Sequence, residues 1–405
     1  MTFRLNGWWF LLLAVTGIFS LLYLWHTLFP GQVSPEALQY FTTEQINAGR
    51  DYSQTQRLLT IAGFVTQVLF LVWFLWSGRA VALGKWTQSI AGGSYLGGII
   101  LFFCSLWLAL RLLNLPLDLY GSYFFQHSWG FSTQTLGAWW MDYLKGAGLD
   151  LIISGIGVIL FFILLNGWPR TWWVIGAGLL ACWLIIQSIL WPVFISPMFN
   201  RFEPVKDPAI LNMVEELSLK AGIPVEEVLV MDASRRTTKA NAYFSGLGKT
   251  KQIVLYDNLL NAYSQDEVKA VLAHEMAHWR QGHIVKGLTL GVVGNFLAWG
   301  LLFLLLKTMV PPRYYPAHTW AMVLLFFSLV SFITSPVQNY ISRSMEKEAD
   351  HVSTMLTGDP AAAVQLQKSL VIKNVSDVSP PTFIEWFSYS HPSVLHRIRV
   401  LEGTN

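Results

Sequence analysis

The chain has 405 residues, with 27 Lys and Arg against 24 Asp and Glu for a formal net charge of +3; 53% of it is hydrophobic, 13% is charged, and it contains 19 Trp. With a mean hydropathy of +0.44, this composition excludes an ordinary soluble domain and places the chain among polytopic membrane proteins. No basic cluster with interleaved aromatics is present, which excludes a nucleic-acid partner.

In chain order, seven apolar runs are long enough to cross a bilayer, at roughly residues 8–29, 58–76, 95–113, 150–168, 172–195, 287–306 and 319–336. The first follows Arg4, but its length and the lack of a small-x-small cleavage site lead us to expect a retained helix rather than a signal peptide. Residues 114–149, with Leu115 to Tyr120 and Trp139-Trp140, are expected to form a long aromatic loop lying along the membrane interface. Cys104 and Cys182 both fall inside apolar runs, so neither a disulfide framework nor a CxxC metal site is available.

Composition changes at Ser196-Pro197, and the residues up to about 286 form a charged, aqueous module. Pro208–Ala221 has the pattern of an amphipathic helix. Glu227–Met231, residues 240–245 and Gln252–Tyr256 have strand character and are separated by Gly-containing or charged turns. Asn241-Ala242-Tyr243 either offers an edge to an extended substrate or simply begins a hairpin.

Ser264 with Glu267 predicts a capping box, and Val268, Val271, Leu272 and Met276 supply an apolar stripe, so a helix of roughly 18 residues contains His274-Glu275-Met276-Ala277-His278. On that helix the two imidazoles project about 40° apart, as zinc ligands do in HExxH hydrolases, and Glu275 can reach a reacting water. A catalytic zinc takes a third protein ligand. The HExxHxxGxxH pattern is excluded by Gln281 and Ile284. His283, nine residues after His274, faces about 180° away on a continuous helix and is expected to be a polar helix-end residue.

After the seventh run, Glu346 and Asp350 share a helix face, so one could bind zinc while the other accepts a ligand histidine's free N–H; Glu348 points elsewhere. Glu346 is the better candidate ligand, and a solvated, charge-rich helix start is the alternative. His391 and Arg397 could donate to an oxyanion or could belong to an exposed tail.

Together these segments resemble the type I CaaX prenyl proteases, integral-membrane zinc endopeptidases of the gluzincin kind. The resemblance runs from Leu115-Pro116-Leu117-Asp118-Leu119-Tyr120 and Gly130-Phe131-Ser132-Thr133-Gln134-Thr135, through Asn241-Ala242-Tyr243-Phe244, Ile253 to Asp257 and the HExxH motif, to residues 342–350 and His391-Pro392. It implies one zinc held by His274, His278 and Glu346, with Glu275 as base and Asn241, Ala242 and Tyr243 along the substrate. It also implies His391 and Arg397 at substrate or oxyanion, and helices enclosing a large water-filled chamber.

The expected fold is mainly α: a polytopic seven-helix membrane protein with an embedded α+β, gluzincin-like zinc-metalloprotease domain. The expected division is residues 1–195 with five membrane helices, 196–286 as catalytic module, 287–336 with helices six and seven, and 337–405 as the segment supplying the third ligand. The expected partners are a peptide or protein substrate, prenylated in the family it resembles, and the lipid bilayer, with the chain acting as a monomer. Arg and Lys concentrated in residues 201–286 and in the tail favour a cytoplasmic module. A membrane quality-control protease without prenyl dependence is the first alternative, and a transporter or scaffold with a structural zinc is the second.

Overall fold

The computed structural model describes residues 6–225, 227–245, 252–307 and 315–403. Among the described residues, Gly7–Leu28, Thr43–Trp76, Tyr95–Ser128, Leu136–Gly167, His283–Lys307 and Thr319–Thr357 are helices long and apolar enough to cross a membrane. Trp172–Ser188 and Trp191–Met198, bent by 51°, make a seventh crossing when taken as one. Trp9, Leu71, Phe102, Phe162, Trp172, Leu302 and Phe326 meet in one buried cluster between these helices. The outward faces carry Phe10, Leu21, Trp25, Leu69, Trp76, Leu297 and Leu304, all exposed. Hydrocarbon is the solvent in which such a surface is stable, because every backbone polar group is satisfied within its own helix.

The interfacial loop expected over residues 114–149 is not a loop. Tyr95–Leu119 runs into a π-helical turn at Tyr120–Phe124 and a last α turn at Phe125–Ser128, and the next helix begins at Leu136. Pro116 lies inside the helix, where it removes one amide donor, and the wider π turn begins four residues on, so the chain continues where composition suggested a stop. The short remainder, residues 129–135, is tied to the aqueous module. Thr133 N–H donates to the Arg236 carbonyl at 3.2 Å, Thr238 N–H donates to the Phe131 carbonyl at 3.1 Å, and Arg236 Nε donates to Asp142 Oδ2 at 2.9 Å.

The module holds a four-stranded sheet of β1 (Phe202–Pro204), β2 (Glu227–Met231), β3 (Ala242–Ser245) and β4 (Gln252–Tyr256) in the order β1-β2-β4-β3. β2 and β4 are parallel with Leu229 beside Val254, whereas β3 runs antiparallel to β4 with Ala242 beside Leu255. The Gly-containing turn expected between β3 and β4 lies outside the described residues. Alternation along β4 sends Ile253 and Leu255 to one face and Val254 to the other. The first face packs on Leu272, Ala273 and Met276 of the HExxH helix and on Ala349, Val352 and Leu356 of the last crossing. Val254 joins Leu229, Met231 and Ala233.

A buried ion pair joins the two ends of the chain. Arg57 Nη2 donates to Asp377 Oδ2 at 2.8 Å and to the Tyr389 hydroxyl at 2.7 Å, with side-chain exposures of 7% for Arg57 and 0% for Asp377. Gly49, two turns earlier, lets the helix approach so closely that a Cβ there would collide with the Ser376 carbonyl. Removing one partner of such a pair strands a buried charge, so Arg57→Met is expected to cost about 3–5 kcal/mol. Arg57→Met/Asp377→Leu should recover most of that loss. Unfolding in detergent measures both, and a single variant within about 1 kcal/mol of wild type contradicts this role.

Candidate metal centre

The HExxH helix, Gln265–Arg280, is fixed at its start by the expected capping box, in which Glu267 N–H donates to Ser264 Oγ while the Glu267 carboxylate accepts from Ser264 N–H. Val268, Leu272, Ala273, Met276 and Ala277 are buried, which leaves the helix no freedom to rotate and aims His274 and His278 along one face. Their Nε2 atoms lie 3.2 Å apart.

The last crossing, Thr319–Thr357, contains 39 residues, and at about 1.5 Å per residue it is roughly 58 Å long. That is about twice the hydrocarbon thickness, so its C-terminal half stands clear of the bilayer beside the module. Ala349 and Val352, 0% and 3% exposed, lock this half against the HExxH helix. Glu346 therefore presents Oε2 at 3.3 Å from His274 Nε2 and Oε1 at 3.3 Å from His278 Nε2.

These spacings test whether the residues fit a metal. Donors about 2.0–2.2 Å from one tetrahedral ion are separated from each other by roughly 3.3–3.6 Å. The His274–His278 separation of 3.2 Å is close to that edge, and the Glu346 carboxylate straddles the two imidazoles with one oxygen 3.3 Å from each; the donor set, two imidazole nitrogens and a carboxylate, suits a divalent transition metal. His274, His278 and Glu346 are the residues that group together as a metal site among those described.

Asp350, one turn past Glu346, places Oδ1 at 3.0 Å from His274 Nδ1. It also accepts from Arg397, Nε to Oδ2 at 2.8 Å and Nη2 to Oδ1 at 2.5 Å. Arg397, 10% exposed at its side chain, is thus committed to the carboxylate that sits against His274. His391 is placed differently: its side chain is 59% exposed, with Nε2 at 3.5 Å from Glu346 Oε1. Asp350→Ala is expected to weaken metal binding by about 10–100-fold. A competition titration against a metal buffer measures this, and unchanged affinity contradicts it.

Glu275 is half-buried beside the edge strand, where burial pushes its carboxyl up from the ordinary value against the pull of the His274 and His278 imidazoles and a contact with the Phe244 backbone. Phe244 in turn stacks on Trp279, with ring centroids 5.1 Å apart. β3 is one of the two edge strands of the sheet, at the end opposite β1. Asn241 stands at its entrance, its side-chain Oδ1 accepting from Ala242 N–H at 2.9 Å and its carbonyl from Tyr256 N–H at 3.0 Å. Ala242 is buried and Tyr243 half-buried against Tyr256.

His283 lies at a helix end, as expected, and outside the group of candidate metal ligands. Gly282, at φ +66°, ends the HExxH helix and turns the chain, so His283 is 5% exposed with Nδ1 at 2.8 Å from His278 Nδ1. Its Nε2 lies 3.0 Å from Glu348 Oε2. Glu348 does point away from the metal ligands, but onto this histidine, so His278 gains a buried partner just as His274 gains Asp350.

Comparison with known proteins comes in three forms. The family model for peptidase family M48 matches residues 204–405, and that for the CAAX prenyl protease N-terminal region with five membrane helices matches residues 26–201. The uncharacterized metalloprotease YhfN of Bacillus subtilis is 27% identical over 402 residues, 95% of this chain and 94% of that protein. CAAX prenyl protease 1 of Saccharomyces cerevisiae is 31% identical over 320 residues, 72% of this chain and 69% of that protein. The crystal structure of S. mikatae Ste24p superposes with a TM-score of 0.85 at 26% identity, covering 98% of this chain and 100% of that one.

Proposed function

The chain belongs to the CaaX prenyl protease family within peptidase family M48, and from that premise we propose that it is a zinc endopeptidase cutting the C-terminal tripeptide from prenylated proteins. It is an integral, multi-pass membrane metalloendopeptidase. The observation supporting the chemistry is the grouping of two imidazoles and a carboxylate, with candidate ligand atoms within 4.8 Å of one another, and Glu275 beside them. A structural zinc is normally enclosed by four protein ligands, whereas a catalytic one has three and an open position.

His274, His278 and Glu346 would hold the zinc, one ion per chain. When bound, it would act as a Lewis acid toward a peptide carbonyl and make water more acidic. Glu275 takes the proton of the attacking water and delivers it to the leaving amine. His391 donates to the oxyanion forming at the scissile carbonyl, a role its open position allows and the paired Arg397 leaves to it. Arg397 holds Asp350, which orients His274. Asn241, Ala242 and Tyr243 receive the substrate as an added strand on the edge of β3.

On this reading residues 196–286 and 337–405 form the aqueous catalytic unit between membrane regions 1–195 and 287–336, facing the cytoplasm, and a monomer suffices because one chain supplies every residue named. Cleavage of a farnesylated CaaX peptide by detergent-purified protein, between the prenylated cysteine and the next residue, is the expected result. Cleavage of unfolded membrane segments with that peptide left intact would move the function to quality control.

A further inference from the structure

We propose that Lys239 is a specificity-determining residue that binds the free α-carboxylate at the substrate's C-terminus. The inference rests on the peptidase function and adds how the enzyme recognises a chain end. A cavity of about 720 Å³ is lined by His391 and Arg397 at the metal site and by Lys239, Tyr52, Arg57 and Tyr389 further away. Two of its three Lys and Arg side chains are neutralised inside the protein, Arg397 by Asp350 and Arg57 by Asp377. Lys239 has no carboxylate partner among the described residues. Its Nζ donates to the Tyr52 hydroxyl at 2.6 Å and sits 4.7 Å from the Tyr52 ring centroid and 4.3 Å from that of Phe131. The hydroxyl it meets is also within 3.0 Å of the Gln126 amide oxygen, a neutral partner. Burial pushes the Lys239 ammonium down to about 8, and no neighbouring anion opposes the shift.

A half-buried cation facing a cavity is complemented by an anion entering it, and strand geometry says which one. Lys239 precedes Ala242, the first residue of β3, by three positions. A peptide added antiparallel to β3 runs in the opposite sense, so its C-terminus lies toward the N-terminal end of that strand. Three residues beyond the scissile bond extend about 10 Å, and on this polarity the terminal carboxylate lies toward the end of β3 that Lys239 flanks, in the cavity that Lys239 shares with His391. The site is preorganised. Residues 234–238, leading into Lys239, are held by the 129–135 segment through Thr238 N–H to the Phe131 carbonyl at 3.1 Å and Thr133 Oγ1 to the Ser234 carbonyl at 2.8 Å.

The test compares one farnesylated CaaX peptide ending in a free carboxylate with the same peptide ending in a carboxamide, using full-length protein. A charge-assisted hydrogen bond predicts that the wild type has a KM about tenfold or more lower for the acid. Lys239→Met should lose that advantage, cutting acid and amide with similar KM while its zinc content and kcat stay near wild type; Lys239→Arg should retain most of it. Equal KM for acid and amide in the wild type overturns the inference and leaves the peptidase function standing, and this comparison does not depend on any variant folding. Failure of the wild type to cut either peptide sinks both.

Discussion

Glu275→Gln is expected to retain one zinc per chain while kcat falls by about 10²–10⁴-fold, the range general-base catalysis contributes. The carboxamide preserves size and hydrogen-bonding reach but cannot accept the proton of an attacking water. Since the proposed metal donors are His274, His278 and Glu346, removing the Glu275 charge should leave the ligand set complete. KM should change little, because the proposed substrate seat is the edge of β3 rather than Glu275. At about 1.36 kcal/mol per tenfold, the loss corresponds to roughly 3–5 kcal/mol of transition-state stabilisation. A zinc-loaded variant within about tenfold of wild-type kcat would remove Glu275 from the chemistry.

Glu346→Ala should have the opposite signature, with zinc falling from one per chain to a small fraction after dialysis and activity falling with it. Glu346 is 6% exposed and bridges both imidazoles at 3.3 Å. Without it two nitrogens remain, fewer than the three protein ligands a catalytic zinc uses. On this reading the ion would link the HExxH helix to the C-terminal half of the last crossing, Thr319–Thr357, and so would stabilise the native state by mass action. A chelator should therefore lower the Tm of wild type and leave that of Glu346→Ala almost unmoved. An equal shift in both proteins would show that the metal cross-links nothing at this position.

Much of this site was legible because it depends on spacing within single helices. His274 and His278, Glu346 and Asp350, and Ser264 and Glu267 each lie three or four residues apart, and helical periodicity alone brings such pairs onto one face. The third ligand could be nominated by that spacing; its approach to the histidines depends on packing of Ala349 and Val352 that no local pattern encodes. His283 falls at a helix end as expected, the first residue of His283–Lys307 after Gly282 closes the HExxH helix; its approach to His278 depends on that turn, which no spacing encodes.

The loop expected over residues 114–149 is instead largely helical, because the helix accommodates Pro116 and passes through a π turn four residues on. β1 escaped notice because three residues ending in Pro204 give too short a run for alternation. Lys239 and Tyr52 are 187 positions apart, so only the folded chain brings the cation to its aromatic seat.

The most direct measurement is diffraction from crystals of the purified protein on both sides of the zinc absorption edge. The predicted result is a single anomalous peak about 2.0–2.2 Å from His274 Nε2, His278 Nε2 and a Glu346 oxygen. A zinc peak elsewhere, enclosed by four protein ligands and leaving these three side chains without an ion, would contradict the proposed catalytic centre.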